Sequence, residues 1–132
     1  MLFVSIPEVT GLFSAGKPIF SDYYEILRYR KIPRPLHTAP SDQLYLARVS
    51  GDSLLDVRIA DGDWIVFKAT SEANAGRLCV VSTPHGLTVK FIWPHLTGAV
   101  ILRSANPEYP DQVWEQSEIQ IRGIVVQSGR DW

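Results

Sequence analysis

Cysteine is almost absent from this 132-residue chain: Cys79 stands alone, so no internal disulfide can close. It lies in an apolar run, where burial is its expected fate, and a reducing cytoplasm suits it. An excess of either charge is missing too. Thirteen Lys and Arg against fourteen Asp and Glu leave a net charge of −1, which removes the usual electrostatic argument for binding nucleic acid. Direct sequence-specific DNA binding is therefore not expected, and the modest cluster Arg28, Arg30, Lys31 and Arg34 reads as a solvated segment. Long apolar runs are lacking as well, with no stretch of about 18 residues that would span a membrane. The first residues, Met1 to Glu8, have no basic region and are broken by Pro7 and Glu8, unlike a signal peptide. A soluble, cytoplasmic protein is expected. His37, His85 and His95 have no ligand spacing and no Cys/His cluster accompanies them, so neither a metal nor another cofactor is expected.

What is present is the composition of a globular domain, 45% hydrophobic and 20% charged, at a length that suits one domain with a real core. The chain divides into an arm and a body. Residues 1–40 carry Pro7, Gly11, Gly16, Pro18, Pro33, Pro35 and Pro40, a spacing that argues against long regular elements there and allows at most a helical turn or two around Ser21 to Tyr29. Residues 41–132 instead show short β-like runs between turn residues: Leu44 to Val49, Trp64 to Phe67, Leu78 to Ser82, Leu87 to Trp93, Val100 to Leu102 and Ile119 to Val126. A mostly β body with little helix follows, curled into a barrel-like or sandwich arrangement.

Three pieces of chemistry stand in this frame. Ser53 ends Val49-Ser50-Gly51-Asp52-Ser53, at a turn after a strand-like run. Such a turn can expose an Oγ, and the backbone N–H groups of Asp52 and Ser53 can stabilise an oxyanion. A serine needs an adjacent base to act as a nucleophile. Lys90 follows 90 − 53 = 37 residues later, in Leu87-Thr88-Val89-Lys90-Phe91-Ile92-Trp93. The odd positions of that run are large and apolar, so they share one face and Lys90 lies on the other with Thr88 and Ile92. Two readings compete there: a solvated lysine on an outer face, or a lysine buried enough to lose its proton and serve as a general base. Third, Ser14-Ala15-Gly16-Lys17-Pro18 offers a small-residue bond, Ala15–Gly16, that a catalytic serine can approach closely, with Pro18 biasing Lys17 toward extended geometry. An ordinary turn serine and an ordinary tail are the competing readings of the first and third pieces.

Taken together, these residues resemble the LexA/UmuD family of self-cleaving Ser-Lys proteins. The resemblance rests on Ala15-Gly16-Lys17-Pro18, Val49 to Ser53, Ile59-Ala60-Asp61-Gly62-Asp63 with Trp64-Ile65-Val66, and Gly76-Arg77-Leu78. It continues through Thr88-Val89-Lys90, Asn106-Pro107-Glu108-Tyr109-Pro110 and Gly123-Ile124-Val125-Val126. Leu54 departs from the family's usual Met after the nucleophile, a swap that conserves large apolar packing. The resemblance implies a compact domain of strongly bent antiparallel sheets, the β-clip fold shared with signal peptidases, with a flexible N-terminal arm. It also implies a homodimer and Ser53 and Lys90 as a catalytic dyad that cuts after Ala15, triggered by a RecA filament on single-stranded DNA. Only 15 residues precede the cut, too few for a helix-turn-helix domain. The expected branch is therefore UmuD-like: an SOS-response protein whose trimmed product is an accessory subunit of a Y-family translesion DNA polymerase. The alternatives are the autocleavage domain of a LexA-like or phage repressor, and a β interaction module that never cleaves.

Overall fold

The computed structural model describes residues 3–10 and 25–131. These form nine strands: β1 (Phe3–Val9), β2 (Ile26–Pro33), β3 (Leu44–Arg48), β4 (Trp64–Ala69), β5 (Leu78–Thr83), β6 (Gly86–Pro94), β7 (Val100–Arg103), β8 (Gln112–Trp114) and β9 (Gln120–Gly129). Two single 3-10 turns, Leu55–Val57 and Gln116–Glu118, are the only helical elements among the described residues. No helix among them is long and apolar enough to cross a membrane.

All nine strands belong to one sheet in the order β2-β1-β3-β4-β9-β5-β6-β7-β8. Every contact is antiparallel except one: β1 meets β3 in parallel through Glu8↔Leu46 and Val9↔Ala47. The mostly β architecture is as expected, and the six runs of the body each became a strand. The arm differs from expectation. Pro7 and Pro33 sit in edge-proximal strands, Pro33 at the last position of β2, where a missing N–H is tolerated. Residues 26–29 extend as strand instead of coiling, because β2 runs antiparallel along all of β1.

Period-2 alternation explains why so short a chain can build a core on both faces of the sheet. Ile65 and Phe67 of β4 join a large buried cluster with Ala47, Val49, Leu54, Val80, Leu87 and Val89. Val66, between them, packs on the opposite side with Ile6, Ile32, Leu44 and Leu46. On the far half, Cys79 and Val81 pack with Ile92, Leu102 and Ile124. The expected burial of Cys79 is therefore realised, in a mainly aliphatic layer.

Strand β9 crosses the centre, pairing with β4 along Gly123 to Gly129 and with β5 along Gln120 to Ile124. Register shifts occur between Val66 and Phe67 on β4 and between Val80 and Val81 on β5. Such irregularities raise local twist and bend the sheet. At the crossing stands Gly123, where an added Cβ would meet Phe67 Cδ2 at 2.6 Å and the Lys68 carbonyl oxygen at 2.7 Å.

Candidate active site

The turn between β3 and β4 carries Ser53. Gly51 takes φ +89°, a left-handed conformation open to glycine, and reverses the chain two residues before the serine. Side chains from distant parts of the sequence then fix the turn. Gly51 N–H donates to Asp61 Oδ1 at 2.8 Å, and Asn106 Nδ2 donates to the Asp52 carbonyl at 2.9 Å. The Tyr109 hydroxyl donates to the exposed Asp52 carboxylate. After the serine, Asp56 N–H donates to the Ala105 carbonyl at 2.7 Å, and Leu54 is fully buried in the core.

The Asp61-Gly62-Asp63 turn, with Gly62 at φ +86°, closes the same loop. Val49 N–H donates to the Asp63 carbonyl at 2.7 Å and Gly62 N–H to the Val49 carbonyl at 2.9 Å. The buried Asp63 carboxylate accepts from Ala60 N–H at 2.8 Å and from Arg130 Nε and Nη2 at 2.7 and 2.9 Å. Arg130 and this backbone bond hold its pKa below the usual carboxylate value despite burial. Aspartates that look like simple turn formers in the sequence thereby anchor the loop to both its neighbours and the last residues of the chain.

Ser53 is 0% exposed and Lys90 4% exposed. For Lys90 this decides between the two readings of its strand: it is not a solvated lysine on an outer face. It shares its side of β6 with Ile92, and its ladder partner on β5 is the buried Cys79. That apolar setting disfavours the ammonium and pushes its pKa down from 10.5 to about 8. At pH 7 about one molecule in ten then carries a neutral amine, against a few in ten thousand for a solvated lysine.

The fold gathers the backbones on either side of these two residues. Leu54, next to Ser53, and Val89, next to Lys90, belong to one buried cluster with Ala105. The link between them is the loop after β7. Arg103 ends β7 opposite Phe91, one residue beyond Lys90 in β6, and the chain continues at once into Ala105 and Asn106, which grip the Ser53 turn. Asn106 and Tyr109 were visible as part of the Asn-Pro-Glu-Tyr-Pro motif, but their role was not. The signal they give locally is a turn, in which Asn106 Oδ1 accepts from Glu108 N–H at 3.0 Å. Their partner lies 54 residues away in the case of Asn106 and 57 for Tyr109, beyond the reach of any local pattern. His85, in the turn that leads into β6, is exposed and meets Trp114 edge-on at 5.3 Å. Ala15 and Gly16 lie outside the described residues.

Comparison with known proteins identifies the family of the chain. The model of the Peptidase S24-like family matches residues 7–126. The LexA repressor of Halorhodospira halophila is 36% identical over 102 residues, covering 77% of this chain and 43% of the relative. LexA repressor 1 of Nocardia farcinica is 34% identical over 125 residues, covering 93% and 54%. The LexA repressor of Methylococcus capsulatus is 35% identical over 119 residues, covering 88% and 56%. The chain thus spans about half the length of these relatives. With 126 − 7 + 1 = 120 of its 132 residues inside the family match, the chain belongs to the Peptidase S24-like family.

Proposed function

We propose that this chain is the self-cleaving domain of a LexA-like repressor, in which Ser53 attacks the Ala15–Gly16 bond with Lys90 as its base. The observation that carries the reading is the burial of Lys90 in an apolar layer, which makes its neutral form accessible near physiological pH. Neutral Lys90 takes the proton from Ser53 Oγ, and the alkoxide attacks the Ala15 carbonyl carbon. The carbon–nitrogen bond to Gly16 breaks, the proton held on Lys90 passes to the Gly16 amine, and water then hydrolyses the Ser53 ester. The N–H groups of Asp52 and Ser53 are the oxyanion donors in this scheme. The tether of 53 − 16 = 37 residues reaches roughly 120 Å when extended, so the cut can fall within a chain or between partners of a homodimer.

Relatives named LexA repressor support the repressor branch over the UmuD-like accessory subunit of a Y-family polymerase. The shortness of the stretch ahead of Gly16 carries no weight for the branch, since the chain covers only about half of those relatives. The biological output in this reading is derepression, with a RecA filament on single-stranded DNA as the trigger that favours the cleavable conformation. Intact mass tests the chemistry: wild type is expected to lose residues 1–15 between pH 7 and pH 10, and Ser53→Ala to stay whole. Two unchanged masses, even with an activated RecA filament present, refute it.

A further inference from the structure

The arm strands are tied to the body by the buried apolar contacts of Ile6, Val9 and Ile32, and by charge as well. Glu8, the next-to-last residue of β1, is buried with its side chain 4% exposed, and its carboxylate accepts from Arg28 Nε at 3.2 Å and Arg30 Nη1 at 3.1 Å, both on β2. Arg30 reaches on to Asp131 at 3.3 Å, and Asp131 takes Arg48 of β3 at 2.6 Å. One chain of ion pairs thus spans β1, β2, β3 and the segment after β9. The backbone adds little here, because β1 joins β3 through only the pairs Glu8↔Leu46 and Val9↔Ala47.

That junction lies at a telling place. The pairing is parallel, so β1 leaves the sheet at the same end as β3, which runs on into the Ser53 turn. Ala15 is 15 − 9 = 6 residues beyond Val9, and Ser53 is 53 − 47 = 6 residues beyond Ala47, its ladder partner. Six residues span at most about 20 Å, so the place where β1 ends bounds where Ala15 can reach. From the buried carboxylate and this register we infer that Glu8 is a positioning residue for self-cleavage, its clasp on Arg28 and Arg30 fixing where the run toward the scissile bond begins. The inference rests on the reading of Ala15–Gly16 as that bond. Groups facing the clasp are Arg28 and Arg30 of β2, Arg48 of β3 and Asp131; burial raises the Glu8 pKa, and the hydrogen bonds from Arg28 and Arg30 together with the charges of Arg28 and Arg48 more than offset it.

The test follows the rate of loss of residues 1–15 against pH in wild type, Glu8→Gln and Arg28→Gln. Arg28 is more than half exposed, so its replacement preserves the fold even where Glu8→Gln does not. Expected is a plateau rate at least about 10-fold lower in Glu8→Gln, a smaller drop in Arg28→Gln, and a midpoint that stays near 8 in both. Faster amide exchange along β1, with β5 and β6 unchanged, should accompany it. An unchanged plateau in both variants overturns the proposal. So does a midpoint that moves toward 10.5, which would mean that the whole fold had loosened around Lys90. A wild-type chain that stays whole is a different failure, that of the scissile-bond reading itself.

Discussion

At the scale of single residues, Lys90 concentrates the cost and the use of burial. Its folded pKa of about 8 lies below the 10.5 of the exposed side chain, so between those values the unfolded chain holds a proton that the folded chain has released. Stability contributed by this group therefore rises with pH from about 8 to 10.5, and below 8 the full penalty applies. Lys90→Met is expected to stabilise the fold near pH 7 by up to about 3 kcal/mol and by little above pH 11, as urea unfolding at the two pH values would show. Leu54 works in the opposite direction. It is fully buried beside the serine, so Leu54→Ala should cost about 2–5 kcal/mol while Leu54→Met costs under about 1.5 kcal/mol. The alternation around Lys90 showed in the sequence which side of the strand it occupies. It did not show that both sides are covered, because burial of the second face depends on Cys79, Leu102 and Ile124 arriving from other strands.

Among the elements, strands with strong β-branched runs were legible and those held by partners were not. Trp64-Ile65-Val66-Phe67 and Leu78 to Ser82 announce themselves by composition. β1 and β2 do not: Pro7 and the charges Arg28, Arg30 and Lys31 argue against a strand locally, and their extension comes from pairing with each other and from the Glu8 clasp. β8 is three residues long and pairs only with β7, too short for any period to register. The loop after β7 was legible as a turn but not as the brace of the Ser53 loop. Asn106→Ala removes the hydrogen bond to the Asp52 carbonyl, and a self-cleavage rate reduced by about 10-fold or more is expected from intact-mass kinetics, with the fold retained by circular dichroism. The central crossing is equally specific. Gly123→Ala would press a methyl group onto the β4 backbone, and a loss of about 1–3 kcal/mol is expected in urea unfolding.

For the whole molecule, three depressed carboxylates tie the ends of the chain to the middle: Glu8, Asp63 and Asp131. Groups of this kind contribute stability that is present above their unfolded pKa values, near 4, and lost as pH falls through the lower folded values. Asp63→Asn should therefore lower stability by about 1.5–3 kcal/mol at pH 7, a gap that closes as pH falls below the ordinary carboxylate range, as acid titration of the urea midpoint would show. The same architecture buries Lys90 among apolar residues, and the proposed self-cleavage needs its amine neutral. The measurement that tests it most directly is the rate of self-cleavage from pH 6 to pH 11 in wild type and Lys90→Met. A rise of about 10-fold between pH 7 and pH 9, levelling above pH 9, is expected for a base of pKa about 8, with no cleavage in Lys90→Met. A wild-type rate that keeps climbing about 10-fold per pH unit to pH 10, or a Lys90→Met chain that cuts itself equally well, would contradict it.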